Sequence, residues 1–507
     1  MKYLFLLLQI FVLSTSLAAV EDGQRIYLEG LDDQRLAIKS YINDLEAGSA
    51  LACANCHRES GLGTSESGKT IPPVSWSFLG VNQPVDDKSI FYSIQNKRKA
   101  YDTKLLHRLL TTGIDSDGQI ADTLMPRYVI SEKQTESLEQ YLKTLFVGND
   151  PGVDADVIRI ATILDPRLPQ QQKDRHKKFM QGLFDMKNSL TRGELRRKKY
   201  SPIQKAPQYE SYRHWELVIW ELPENPDLWA ETLKSLYIEN PVFVVLSPVL
   251  KDSYSGVGEF CNEMKLPCLF SNGLDSGSGD YYNFVYRNSE KQQKDYLNKK
   301  IREEKDRLYY LDSDGRLKKI VTSKMQFPEI SKSSESFLLR QFNDFCADEI
   351  TVLIRAELDV IQPFYDFNCT NKQKAKLKII IKETTAFQDV ADFIKTNNNS
   401  AICLVTDYGK MLKRNSRKIR TDVLTRKFKM DNNESELLAR DLYSYGLLTD
   451  SLHQLAGNFS RAYLMEIIEH MLNSFPNYTY FNSVTGAPGQ RAIVGPVTEY
   501  CPSVGKV

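Results

Sequence analysis

Cys53-Ala54-Asn55-Cys56-His57 is the stretch of the sequence that says most about its fold and its chemistry. A Cys-x-x-Cys-His pattern is the signature of c-type haem attachment, in which two thiols form thioethers with the haem and the following histidine ligates the iron. A redox-active Cys-x-x-Cys needs a βαβ context, and a zinc site needs a second pair of cysteines nearby. No other cysteine precedes Cys261. The stretch therefore predicts one covalent haem c on Cys53 and Cys56, with His57 as an iron ligand.

A methionine followed by a proline supplies a candidate for the second iron ligand. Met125 is the only methionine between the N-terminal apolar segment and residue 179. Pro126 removes a backbone donor and stiffens the loop that carries the thioether. A methionine and a histidine together fill both axial positions, which suits an electron carrier rather than an iron that activates oxygen or peroxide. His107 is the competing ligand, but it lies inside a helix-like run, where a single histidine is more often packed or exposed.

Two amphipathic segments near these residues predict a small helical domain. Residues 104–110 have helical apolar spacing and end at Thr112-Gly113, whereas residues 131–146 place apolar side chains on one face. Ser131 is a suitable N-cap for the second helix. Aromatic side chains of this region are candidates for packing against a haem. They are Trp76, Phe78, Tyr92, Tyr128 and Tyr141.

The order of these features resembles mono-haem class I c-type cytochromes. A helix-like opening segment, residues 24–30, precedes the Cys-x-x-Cys-His motif, and Met125-Pro126 stands just ahead of the final helix. The resemblance implies a small all-α cytochrome c domain over residues 20–150. It also implies that Met125 is the distal ligand of the haem iron and His57 the proximal one.

The first nineteen residues predict export. Lys2 is followed by an apolar run over residues 3–13 and by small residues up to Ala19, which is the pattern of a secretory signal peptide. The run is shorter than the roughly 20 apolar residues that a membrane span needs. No later stretch is long and apolar enough, so we expect no transmembrane span in the mature chain. Haem attachment in bacteria also takes place outside the cytoplasm, and both patterns predict the periplasm.

Composition limits the classes of partner. The 507 residues are 41% hydrophobic and 26% charged, with a net charge of +1. This is the balance of an ordinary soluble globular protein of two or three domains. A net charge so close to zero gives no reason to expect nucleic acid as a partner.

The rest of the chain predicts a second, larger domain over residues 153–507, after a linker at 147–152. Compact apolar runs alternate with helical segments, and nearly continuous apolar strands are typical of parallel sheets covered by helices. Two series of such runs predict two α/β lobes. The predicted strands are residues 157–163, 214–220, 241–247, 267–270, 350–354, 377–381 and 401–405.

This second domain resembles the type I periplasmic binding proteins that serve amino-acid ABC transporters. The resemblance rests on the order of elements and on residues 260–270, 443–452 and 486–491. It implies a two-lobed α/β module with a small-molecule ligand. The loops expected to face that ligand, residues 247–253 and 271–279, contain Ser and Asn but no clear pair for gripping a carboxylate. Similar cytochrome-fused proteins occur beside quinoprotein dehydrogenase systems. A periplasmic redox partner is therefore implied, either such a dehydrogenase or a terminal oxidase chain.

Six cysteines remain after haem attachment, and in an oxidising compartment they can form up to three disulfides. Cys261 and Cys268 are the predicted pair, because they flank a segment that reads as the end of a helix turning into a strand. The pairing of Cys346, Cys369, Cys403 and Cys501 stays open.

The sequence thus favours a periplasmic mono-haem electron carrier with a fused binding-protein-like module for docking or ligand sensing. The alternative is an ABC-transporter-type solute-binding protein for an amino acid or small organic ligand, with an accessory haem domain. A peroxidase would need an open iron site, so we expect no enzyme activity. Four further histidines have no metal-site spacing. They are His176, His214, His453 and His470.

Overall fold

The computed structural model describes part of the chain, in separate segments. The segments are 18–40, 48–66, 69–82, 98–145, 149–200, 212–250, 255–271, 280–285, 289–304, 307–311, 316–321, 329–330, 348–356, 375–381, 401–406, 434–455, 457–474, 483–485, 490–494 and 498–501. The predicted signal peptide lies outside them except for its last residues.

The chain divides into two compact units. The motif unit comprises Met1–Asp150, Arg197–Tyr212 and Leu452–Ile467, and the α/β unit comprises the other residues. The division after Asp150 falls next to the linker proposed from the sequence. The motif unit also includes Leu452–Ile467 from the C-terminal part of the chain, and no sequence pattern predicts this.

The motif unit consists of helices and two short pairs of strands, rather than helices alone. The helices are α1 (residues 18–29), α2 (Ala54–His57), α3 (Trp76–Leu79), α4 (Thr103–Thr112) and α5 (Glu132–Leu142). Strand β1 (Lys39–Ser40) pairs with β4 (Tyr128–Val129), and β2 (Thr64–Glu66) pairs with β3 (Lys69–Ile71).

Both amphipathic helices predicted for this unit are present. Helix α4 ends at Gly113 in the left-handed conformation, and Asp102 caps its first turn. Helix α5 begins with a capping box, in which Ser131 accepts from the backbone of Gln134 and the Gln134 side chain accepts from the backbone of Ser131. The apolar faces of α1, α4 and α5 meet in one core, to which α1 contributes Ile26.

The α/β unit contains a first sheet of largely parallel strands. The strands are β5 (Val157–Leu164), β6 (His214–Glu221), β7 (Val244–Leu246), β8 (Cys268–Ser271), β9 (Asp280–Val285), β16 (Ser483–Thr485) and β17 (Gln490–Val494). Their order in the described residues is β6-β5-β7-β8-β9-β17-β16, and only β16 runs antiparallel. The helices along this part of the chain are α6 (Gln170–Tyr200), α7 (Trp229–Glu239) and α8 (Ser255–Glu263).

A second sheet follows in the same unit. Its strands are β10 (Leu308–Leu311), β11 (Leu317–Lys319), β12 (Glu329–Ile330), β13 (Thr351–Ala356), β14 (Lys376–Ile381), β15 (Ile402–Thr406) and β18 (Thr498–Tyr500). Strands β10, β13, β14 and β15 are parallel, with β11 and β18 antiparallel at the two edges. The later helices of the chain are α9 (Ser289–Glu304), α10 (Glu434–Gln454) and α11 (Arg461–Ser474), and the residues of α10 and α11 between Leu452 and Ile467 belong to the motif unit. The predicted mixed α/β architecture with two sheets is confirmed.

Disulfides reinforce both sheets. Cys261 at the end of α8 pairs with Cys268 at the start of β8, as predicted, and Cys403 of β15 pairs with Cys501 just after β18. Cys346 and Cys369 lie outside the described residues. Among the described helices, we find none that is both long and apolar enough to cross a membrane.

Candidate functional site

The predicted haem-attachment residues lie on and just before helix α2. The backbone of His57 donates to the Cys53 carbonyl over 2.9 Å, so one helical turn brings these residues together. Cys53 is half-buried and Cys56 is exposed, and both carry free thiols. In the thiol form, burial raises the pKa of Cys53 to about 12. The motif therefore offers two thiols that form no disulfide and lie three positions apart within one helical turn.

The side chain of His57 is held by a backbone carbonyl. Its Nδ1 lies 2.9 Å from the carbonyl oxygen of Pro72. A carbonyl can only accept, so Nδ1 carries the proton and donates, and Nε2 keeps its lone pair. Burial lowers the pKa of His57, which the hydrogen bond to Pro72 partly opposes, and this favours the neutral ring. A neutral imidazole with a free Nε2 is the form that binds metals.

Met125 shares an apolar cluster with the motif. Its half-buried side chain packs in the core that also contains Cys53, Ala54, Trp76 and Phe78. Met125 thus packs in the same apolar cluster as Cys53, although it is 72 positions beyond Cys53 in the chain.

Arg127 fixes the loop of Met125, and the sequence analysis missed it. The guanidinium is only 8% exposed. It donates to the carbonyls of Met125 and Ala121. Gly113 makes room for it, because a Cβ there would lie 1.9 Å from the Arg127 Nε. An arginine beside Met-Pro reads as an exposed charge in the sequence, so no local pattern reveals its burial.

The competing ligand, His107, is engaged elsewhere. Its Nδ1 lies 3.0 Å from the Thr135 hydroxyl on α5. The structure therefore gives His107 a role between two helices rather than beside the motif. Tyr92 lies outside the described residues.

Buried tyrosines surround the motif. Tyr128 donates to the carbonyl of Leu51 over 3.2 Å, and Tyr27 donates to that of Arg58 over 2.6 Å. The rings of Tyr27 and Tyr141 lie 5.4 Å apart. Burial raises the pKa of all three hydroxyls, so they stay neutral donors at ordinary pH.

These donors fit a covalently bound haem c. Two free thiols at one helical turn, a neutral histidine with its Nε2 lone pair available, and a thioether in an apolar cluster are the groups that such a haem requires. Among the described residues, no three His, Cys, Asp or Glu side chains are grouped to hold a metal ion.

A second candidate site lies at the carboxyl edge of the first sheet. The strand order reverses between β5 and β7, and ligands of open α/β sheets bind beyond the carboxyl ends of the strands at such a point. Ser247, which follows β7, is 1% exposed and has a φ of 48°. Among the described residues, its buried hydroxyl has no hydrogen-bond partner. Residues 251–253 and 272–279 of the two predicted ligand loops lie outside the described residues.

A series of buried, hydrogen-bonded polar side chains reaches the backbone of Ser247. The Thr162 hydroxyl donates to the Ser247 carbonyl over 3.2 Å and lies 3.0 Å from Nε2 of His176. Nδ1 of His176 lies 3.3 Å from the Asp441 carboxylate. These side chains connect β5, α6 and α10 next to the end of β7. The Thr162 side chain is fully buried, so this arrangement stabilises the fold and offers no nucleophile to a substrate.

Comparison with known proteins gives likenesses to solved structures alone. No protein-family model matches the chain, and no curated protein sequence matches it. A possible leucine/isoleucine/valine-binding protein from Rhodopirellula baltica is 12% identical, with a TM-score of 0.44, over 68% of this chain and 94% of that one. A fatty acid ABC transporter substrate-binding protein from Thermomonospora curvata is 13% identical, with a TM-score of 0.42, over 69% and 95%. A branched-chain amino acid substrate-binding protein from Streptococcus pneumoniae, solved with isoleucine, is 10% identical, with a TM-score of 0.40, over 67% and 94%.

Proposed function

We propose that the chain is an exported electron carrier with one haem c in its motif unit and a binding-protein-like module in its α/β unit. The observation that carries the proposal is the side chain of His57. Its Nδ1 donates to Pro72 and leaves Nε2 free, one helical turn after two unpaired thiols and in the same unit as Met125. This combination serves haem attachment and iron ligation, and the fold of a simple helical domain does not require it.

Each residue has a role toward the haem. Cys53 and Cys56 would hold it through thioethers, and His57 and Met125 would ligate its iron. When bound, the haem supplies a one-electron iron couple. Pro72 keeps the His57 ring oriented, and Arg127 holds the Met125 loop through its carbonyl. With both axial positions filled, we propose an electron carrier and not an enzyme.

The periplasm is the proposed compartment, with a redox partner such as a quinoprotein dehydrogenase or a terminal oxidase chain. The apolar N-terminal run of the sequence supports export. The disulfides Cys261–Cys268 and Cys403–Cys501 also support it, because disulfides persist in oxidising compartments.

Visible spectra of the periplasmically expressed protein test the haem proposal. We expect sharp reduced α and β bands and a weak ferric near-infrared band from the sulfur–iron bond. Met125→Ala should abolish the near-infrared band, whereas the matched control His107→Ala should keep it, because His107 bonds to Thr135. A protein that retains no covalent haem after denaturation would rule the proposal out. A high-spin wild-type spectrum that shifts with peroxide would favour the peroxidase alternative.

A second candidate function is binding of an amino acid or another small organic molecule, as in an ABC-transporter-type solute-binding protein. The buried, unpartnered hydroxyl of Ser247 at the switch point of the first sheet favours it. A buried polar group without a partner is costly, and a bound ligand would satisfy it. The two functions are compatible, because they use different units.

Calorimetric titration tests the ligand proposal. Leucine, isoleucine, valine and a fatty acid are suitable first probes, since the structures compared above carry those names. We expect one probe to bind and Ser247→Ala to weaken it at least tenfold. Ser235→Ala, on the exposed side of α7, is the matched control. Equal affinity of the Ser247→Ala variant and the wild type would remove Ser247 from the site.

A further inference from the structure

Ser60, three positions after His57, donates two hydrogen bonds to Glu466, which lies in the C-terminal part of the chain. Its backbone N–H donates to Oε1 of Glu466 over 2.8 Å, and its hydroxyl donates to Oε2 over 2.7 Å. The two residues are 406 positions apart. Ser60 is 3% exposed and Glu466 is 6% exposed. Both oxygens of a buried carboxylate are thus directed at one residue of the loop that follows the motif.

The loop from Arg58 to Gly63 is tight, and Ser60 lies at its centre. The Ser60 hydroxyl accepts from the backbone of Leu62 over 3.1 Å, and the backbone of Gly63 donates to the His57 carbonyl over 3.0 Å. Gly63 has a φ of +73°, and a Cβ there would lie 2.1 Å from the Ile71 carbonyl oxygen. A loop this closely packed transmits a displacement of Ser60 rather than absorbing it.

Hydrogen bonds lead from this loop to the ring of His57. The Gly61 carbonyl, next to Ser60, accepts from the backbone of Val74 over 2.7 Å. Val74 lies two residues after Pro72, whose carbonyl accepts from Nδ1 of His57. The carboxylate of Glu466 therefore holds the loop that holds the Pro72 segment, and that segment orients the proposed iron ligand.

A separate contact fixes the segment of Glu466 in the motif unit. Asp150 Oδ2 accepts from the backbone of Arg461 over 2.6 Å, at the start of α11, and the Asp150 backbone donates to the Phe459 carbonyl over 2.9 Å. A carboxylate at a helix N-terminus is stabilising, because it pairs with backbone donors that the helix leaves free. Glu466 is thus held in place on a capped helix.

We propose that Glu466 is a positioning residue for His57 and an electrostatic determinant of the haem, so that the C-terminal segment 452–467 completes the haem site. This inference rests on the proposed haem function. Hydrogen-bonded partners behind a ligating histidine fix its orientation and tune the metal. A buried negative charge on the loop that follows His57 would also favour the ferric form of a haem bound there over the ferrous form, because it would stabilise the more positive state in a medium of low dielectric constant.

Redox titration of the full chain and its variants tests the inference. Glu466→Gln keeps the shape of the side chain and removes the charge. We expect its ferrous-to-ferric ratio at a fixed potential to rise about tenfold, which is about 59 mV for one electron. Glu136→Gln makes the same charge change on the exposed face of α5, and its potential should match that of the wild type.

A double-mutant cycle isolates the contact itself. Ser60→Ala removes the hydrogen bond from the hydroxyl, and Glu466→Ala removes both hydrogen bonds. Because the two variants share the loss of the hydroxyl bond, their combined effect on the potential should be smaller than the sum of the two single effects. Unchanged potentials in Glu466→Gln and Ser60→Ala would overturn the inference, even if both variants unfold at a lower temperature, because a purely structural contact would behave in that way. Covalent haem staining of the wild type separates the cases. If the wild type holds no haem, the proposed function fails as well; if it holds haem and the potentials do not move, this inference fails alone.

Discussion

The two sheets of the α/β unit are stabilised by different physics. The helices along the first sheet meet it through a large apolar core that includes Trp220, Trp229 and Phe260. Among the residues that the structure describes, the second sheet has a smaller apolar cluster and, beside it, a buried lysine, Lys378, in the middle of β14. Apolar burial depends on volume and hardly on pH, whereas a buried charge depends on its partners and on their protonation. The sheets should therefore fail under different perturbations.

Long-range contacts compensate the charge of Lys378. Its Nζ lies 2.8 Å from Glu304 at the end of α9 and 3.2 Å from Glu499 of β18. Lys300 of α9 also reaches Glu499 over 2.6 Å, and the Thr351 hydroxyl donates to Glu304 over 2.6 Å. Burial alone would raise the pKa of both carboxyls, but the hydrogen bonds and charges of the lysines lower it below its ordinary range. The network holds α9 and the edge strand β18 to β14.

The largest expected loss of unfolding free energy comes from a substitution in the core of the first sheet. Trp220 is 2% exposed, and its ring lies 6.2 Å from that of Phe260. Trp220→Ala should cost roughly 4 kcal/mol of unfolding free energy, because it removes a large side chain and leaves a cavity. Urea denaturation followed by circular dichroism measures this cost. Ile219→Ala, on the same strand at 37% exposure, is the control and should cost less than about 1 kcal/mol. Equal costs for the two variants would contradict the dominance of the apolar core.

A smaller effect is expected from the second sheet. Lys378→Met keeps most of the side-chain volume but leaves two half-buried carboxylates with one cation fewer, so we expect a loss of about 2 kcal/mol. Lys376→Met, two positions earlier on β14 and exposed, is the matched control and should change little. The measurement is again urea denaturation at neutral pH. If Lys378→Met is as stable as the control, packing rather than charge holds this sheet, and the contrast between the sheets disappears.

What the sequence could predict follows from the range of each interaction. The N-cap at Ser131 and the apolar strands depend on neighbouring residues, and these predictions agree with the structure. The pairing of Cys261 with Cys268 spans seven positions and was also predictable. Met125 could be singled out because a methionine before a proline is rare in this part of the chain.

The contacts that the sequence could not predict join distant residues. Glu466 reads as one polar position in an amphipathic helix, and nothing near it points to Ser60. Lys378 interrupts an apolar strand, and its partners Glu304 and Glu499 lie 74 and 121 positions away. Charge compensation inside a fold is a property of its topology, and one sequence does not contain that topology in any local pattern.

The smallest expected effect is a change in how stability depends on pH, and it should occur in the second sheet and not in the first. The pKa values of Glu304 and Glu499 are lowered by folding, so their contribution to stability is complete above the ordinary carboxyl range. It is lost as the pH falls through their folded-state values, because the unfolded chain then binds protons more readily. Unfolding midpoints between neutral pH and about pH 3 should therefore fall less steeply in Glu499→Gln than in wild type. Trp220→Ala should keep the wild-type slope at a lower overall stability, since no titrating group is changed. A Glu499→Gln profile parallel to that of the wild type would mean that other carboxyls govern acid sensitivity, and the second sheet would then owe its stability to its apolar core, as the first one does.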